Sequence, residues 1–195
     1  MSAHEQIEQA EHVEHAAHSN KGIALLISVL ALFLALSETL GKGAQTEGIS
    51  SNVKASDQWA FYQAKTIRMG QVQTAADALT LTMAATTDPA LKAAQAKQID
   101  AWQKEAARSD DDPGRNGRKQ LIERAREAEH ERDTSLAKYH HFEIASAAFQ
   151  IGIVLASATI ITGMTVLAWI AGGLGVVGLL FMAIGLFAPL AVHIM

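Results

Sequence analysis

The densest group of side chains able to bind a metal or carry a proton stands near the start of the chain, in "HEQIEQAEHVEHAAHSN". On a helix His4, Glu8, Glu11, His15 and His18 fall on one face at steps of four and three, and His12, His15 and His18 follow one another at steps of three. Imidazole with carboxylate suits zinc, nickel or copper. Histidine is also the side chain that titrates near neutrality, so the same residues could answer a change of pH. The alternative is plain: a solvated polar helix has this composition without holding anything.

A second candidate is Glu38, in "LALSETLGKG" at the end of a long apolar run. A carboxylate enclosed by a bundle or a ring of copies can select a cation or relay a proton. Lys42 follows four residues later, which offers the simpler reading of an interfacial ion pair on one helix face. Glu38 also ends a line of small residues, so it is expected to face protein or an enclosed axis.

Three weaker signals remain. "SDDDPGRNG" lacks the alternating oxygen ligands and terminal Glu of a calcium loop and reads as a turn. "DQWAFYQAKTIR" concentrates Trp59, Phe61 and Tyr62, either as a docking surface for a partner or lipid headgroups, or as a helix core in which Trp59 meets Trp102. His140 and His141 stand at the mouth of an apolar segment and mark an interface. The chain holds no Cys, no Ser–His–Asp arrangement, no phosphate loop and no HExxH motif. An enzyme is therefore not expected, nor any cofactor or nucleic-acid partner.

The elements that must carry these residues are helices. Every Lys, Arg, Asp and Glu lies at or before Glu143, and the last 52 residues carry no formal charge. No soluble core has that distribution, so the class is an all-α integral membrane protein with the lipid bilayer as its first partner. Three segments can cross about 30 Å of hydrocarbon: residues 22–40, 144–171 and 176–194, the last two forming a hairpin through a turn at Gly172 and Gly173. A polar N-terminal tail, residues 1–21, precedes the first; it is too polar for a cleaved signal.

Between the spans, residues 41–143 read as a helical soluble region with helices over about 52–86, 89–108 and 115–143. The first shows Trp59, Ala60, Ala64, Ile67, Val72, Leu79 and Met83 on one side. The second opens on Asp88 as N-cap with Pro89 at the first helical position and buries Leu91, Ala94, Gln98, Trp102 and Ala106. The third carries Leu121, Ala125, Ala128, Leu136, Tyr139 and Phe142 on its apolar side. No breaker separates it from the next span, so the two are expected to form one rod.

Each span has a seam of small residues where another backbone can approach closely. On the first it is Ala24, Ser28, Ala31 and Ala35, ending at Glu38; on the second Ala145, Gly152, Ala156, Thr159 and Gly163; on the third Ala171, Gly175, Gly178, Met182 and Gly185. These seams serve packing within one chain or between copies. Basic residues near the spans (Lys42, Lys54, Arg124, Arg126, Arg132, Lys138) crowd the central region, which predicts that it is cytoplasmic.

At "NKGIALLISVLALFLALSETLGKGAQTE", "NVKASDQWAFYQAKTIR" and "YHHFEIASAAFQIGIVLASATIITG" the chain resembles the bacterial membrane proteins grouped as domain of unknown function 4337, over most of residues 20–170. The resemblance implies a small inner-membrane protein with one early span, a helical middle and a terminal span pair, and it brings no activity or catalytic residue. The function expected is non-enzymatic: a self-associating, coiled-coil-like homo-oligomer whose helical middle binds a protein partner or organises other components. Two alternatives stand beside it, ion or proton conduction through Glu38 and metal response through His12, His15 and His18.

Overall fold

The computed structural model describes residues 3–112, 114 and 116–191, with side chains from residue 21 onward. The described residues form four helices and no strand: α1 (Ala3–Ala85), α2 (Pro89–Asp110), α3 (Arg118–Thr162) and α4 (Thr165–Phe187). Three of them, α1, α3 and α4, are long and apolar enough to cross a membrane. The chain divides into two compact units, residues 1–48 with 133–195 and residues 49–132.

The polar tail, the first apolar segment and the first amphipathic segment are one helix of 83 residues. No proline interrupts that stretch, and two of its five glycines, Gly41 and Gly48, are contact points with α3, while Gly22, Gly43 and Gly70 have open space around them. A Cβ at Gly41 would sit 3.4 Å from Phe142 Cβ, and one at Gly48 3.1 Å from Leu136 Cδ2. A mid-helix glycine costs about 1 kcal/mol in propensity, which close helix packing can offset.

In the first unit the contact face of α1 is Ile23, Leu30, Ser37, Gly41, Ala44 and Gly48, buried at the seven-residue and then alternating four- and three-residue steps of a left-handed helix pair. The returning α3 meets it in antiparallel register. Phe33 stacks on Phe149 with ring centres 6.0 Å apart, and Ser37 Oγ donates to the Phe142 carbonyl at 2.9 Å. Glycines receive the large side chains. Leu30 lies against Gly152 of α3 and Gly175 of α4, and Phe149 lies on Gly178, each so close that a Cβ there would stand 3.2, 2.8 and 2.6 Å from its nearest atoms.

The hairpin turn falls at Gly163, not at the Gly172 and Gly173 pair that the sequence pattern predicts. Gly163 adopts φ +71°, and its N–H donates to the Thr159 carbonyl at 2.9 Å, a left-handed helix end that glycine reaches without strain. The second span therefore stops at Thr162 instead of residue 171, and the third starts at Thr165 instead of 176. Gly172 and Gly173 stay helical because a chain in hydrocarbon must satisfy its amides internally. Their neighbours Ala171, Gly175, Gly178 and Gly185 are also the buried row of α4.

In the second unit α1 presents Ser51, Ala55 and Ala76 as buried positions, α2 presents Gln95, Ile99, Ala106 and Ser109, and α3 presents Leu121, Ala125 and Ala128. Small residues dominate, so backbones approach closely. The N-cap reading holds: Asp88 Oδ1 accepts from the Ala90 N–H at 2.9 Å, with Pro89 beginning α2. The face of α2 differs from the expected stripe. In its first half Leu91, Ala94 and Gln98 are exposed and the contact row runs one position further round, through Gln95 and Ile99, whereas Trp102 is half-buried and Ala106 buried as expected. That row puts the large aliphatic of mid-helix inside and leaves Leu91 at the free first turn. On α1, Ala60, Ala64 and Ile67 are likewise exposed.

Candidate functional site

Glu38 lies on the exposed side of α1, next to the buried Ser37. Its partner is Gln150 of α3, whose Nε2 donates to Glu38 Oε1 at 3.3 Å. Among the described residues no ion pair joins it to Lys42, so the carboxylate and the ammonium, one helical turn apart, both stay open to a third group. They line a cleft of about 250 Å³ between α1 and α3, closed on the other side by Tyr139, Phe142 and Glu143. Tyr139 Oη donates to Glu143 Oε1 at 3.3 Å, and His140 Nδ1 stands 3.6 Å from Glu143 Oε2.

The local sequence explains why the cleft exists. Gly41 lets α1 approach Phe142 and Tyr139, while Ser37 ties the α3 backbone by its hydroxyl. The charged side chains on either side of that contact are left standing at its rim. The cleft holds charges of both signs and a phenol, but no nucleophile paired with a general base.

The other residues singled out from the sequence separate into three groups. Gly152, Ala156, Gly178 and Gly185, with Ala145, Thr159, Ala171 and Gly175, are buried where helices meet, whereas Gly163 is exposed at the turn. Ala24, Ser28, Ala31 and Ala35 are all exposed: the intramolecular face of α1 is the neighbouring row of Ile23, Leu30 and Ser37. His12, His15 and His18 lie outside the residues whose side chains are described. Among the described residues no three His, Asp or Glu side chains are grouped so as to hold a metal.

Trp59 does not meet Trp102. Its Nε1 donates to Glu129 Oε1 at 2.9 Å and its ring stands edge-on to Tyr62, centres 5.6 Å apart, while Trp102 borders a separate groove with Met69 and Asp77. Ten residues along α1 separate Trp59 from Met69, about 15 Å at 1.5 Å each, which is why the two indoles do not reach one another. Phe61 is exposed.

Tyr62 belongs to a junction of all three helices of its unit. Arg118 Nη2 donates to Tyr62 Oη at 3.1 Å, its guanidinium stacks 5.1 Å from the ring centre, and its Nη1 reaches Asp110 Oδ1 at 3.4 Å. The hydrogen bond from Arg118, with its charge, holds the Tyr62 phenol below the ordinary tyrosine range. Beside it Asp111 accepts from Gln120 and from Lys119, which holds its carboxyl below the usual carboxylate range and lifts the Lys119 ammonium above the usual lysine range. These contacts fasten the end of α2 to the start of α3.

His141, by contrast, is buried against α4: its ring stacks on Phe181 and its Nε2 lies 3.1 Å from the Pro189 carbonyl. Gln150, Ser37 and Gly41 were not evident as site residues from the sequence. Gln150 is the lone amide side chain of an otherwise uncharged 52-residue stretch, a signal that could have found it.

Comparison with curated proteins and with solved structures finds no match to this chain. A family model does match, described as "Domain of unknown function (DUF4337)", over residues 19–188. With the match covering the first helix from before Glu38 to the end of α4, the chain belongs to the DUF4337 family.

Proposed function

We propose that this chain is a non-enzymatic, self-associating integral membrane protein of the bacterial inner membrane, with α1, α3 and α4 as its spans and residues 49–132 as a cytoplasmic surface for another protein. The observation that carries the reading is the exposed row Ala24, Ser28, Ala31 and Ala35. In lipid, helices gain little from burying large apolar side chains and associate where small residues allow close backbone contact. Here the larger row of Ile23 and Leu30 serves the contacts within one chain, so the small row is left for a second copy. Copies inserted in the same direction meet α1 to α1 in parallel, with equal residues opposite each other.

The polar residues within the spans support a structural role over conduction. Ser28, Ser157, Thr159 and Thr162 each donate to the carbonyl four residues back on their own helix, at 2.8–3.0 Å. Their hydrogens serve the helix backbone. Outside the spans, Ile49, Val53, Ile67 and Leu81 leave α1 with an uncovered apolar side suited to a helical partner.

Because the chain has no Cys, single cysteines report pairing without background. Ala31→Cys and Ala35→Cys are expected to give disulfide-linked dimers in native membranes under mild oxidation, and Leu30→Cys, on the covered face, is not. Equal yields at all three positions, or none, would sink the proposal.

A further inference from the structure

We infer that the cleft beside Glu38 is a binding site for the head group of an aminophospholipid, a phosphate joined to a primary ammonium. This rests on the reading of α1, α3 and α4 as spans. Residues 22–40 of α1 and the uncharged part of α3 that begins at Ile144 both end at the level of the cleft, so its opening meets the head-group layer of the bilayer. A cleft of about 250 Å³ is large enough for a polar head group and has no room for folded protein.

Its charges select the occupant. Glu38 and Glu143 against Lys42 leave the cleft with an excess of one negative charge, which disfavours an anionic lipid and suits a zwitterion. Helical side chains lean toward the N-terminus of their helix. On α1, which leaves the bilayer at this level, Lys42 leans back toward the hydrocarbon. On the returning α3, Glu143 and Tyr139 lean away from it. A phosphate next to its acyl chains therefore meets Lys42, and the ammonium beyond it meets the Glu143 carboxylate, which still has acceptor capacity beside its contacts to Tyr139 and His140. A primary ammonium has three hydrogens to donate there; the quaternary ammonium of a choline lipid has none.

The test uses the full-length protein in nanodiscs of defined composition, with thermal unfolding and native mass spectrometry of the retained lipid as readouts. Phosphatidylethanolamine is expected to be retained at least about tenfold better than phosphatidylcholine or phosphatidylglycerol, the ratio one charge-assisted hydrogen bond supports. Glu143→Gln and Lys42→Gln should each remove most of that preference while the protein stays folded and inserted; Asn52→Gln, away from the cleft, should keep it. Equal retention of ethanolamine and choline lipids, or stronger retention of the glycerol lipid, overturns the assignment. If the protein instead leaves the membrane fraction on alkaline washing, the spanning reading fails first, and the two failures are told apart.

Discussion

At the residue scale the first unit is held by large side chains lying on glycines. Phe149 is fully buried, and a Cβ on Gly178 would stand 2.6 Å from its Cε1, inside van der Waals contact. Gly178→Ala must push the ring, which is itself stacked on Phe33, and overpacking of this kind costs about 1–3 kcal/mol. Gly173→Ala meets nothing within 4 Å on the same helix and should be neutral or slightly stabilising. Thermal unfolding of both variants in one detergent checks the difference; equal loss would mean that Phe149 does not depend on Gly178. Tyr62 gives a second residue-scale prediction. With its phenol held below the ordinary value of 10.0 by Arg118, the fold favours the phenolate. The stability this adds is fully present above that ordinary value and is lost as pH falls through the lowered one. Phenolate absorbance should show one of the two tyrosines ionising early, and Arg118→Ala should return it to the ordinary range.

At the scale of elements, the cap of α2 and the turn into α4 test how local rules set boundaries. Asp88→Ala removes the acceptor for the Ala90 N–H and should cost about 1 kcal/mol, seen as faster amide exchange in the first turn of α2. The cap was legible because Asp followed by Pro carries a local signature. The hairpin turn was not, because "GGLG" looks like a stronger breaker than the single Gly163 as long as each glycine is judged alone. What decides is the contact across helices: Gly175 and Gly178 are needed inside α4 to receive Leu30 and Phe149, and among the described glycines Gly163 alone takes a positive φ. The same distinction explains α1. Small residues at three- and four-residue steps mark one row of α1, Ala24, Ser28, Ala31 and Ala35, while the contact within the chain uses the adjacent row of Ile23, Leu30 and Ser37 at seven-residue steps. The continuity of α3 from Arg118 to Thr162 was legible from the absence of any breaker. The Glu38–Gln150 bond was not, since it joins residues 112 apart in the chain.

At the scale of the whole molecule, the proposed topology follows from charge and span number. All but one of the 16 Lys and Arg, the exception being Lys21, lie between residues 42 and 138, and the turn between α3 and α4 carries none. Basic residues near spans stay on the cytoplasmic side, so the central region is expected inside, the α3–α4 turn outside and the end of α4 inside. Single cysteines in the Cys-free chain make this a direct measurement. Met164→Cys, exposed at the turn, should react with a membrane-impermeant maleimide in intact cells, whereas Gln71→Cys, exposed on α1 in the other unit, should react only after permeabilisation. The reverse pattern would invert the orientation and place the cleft beside Glu38 in the outer leaflet. Labelling of both from one side would mean that residues 144–162 do not cross the bilayer, and the head-group site would then lose the leaflet it depends on.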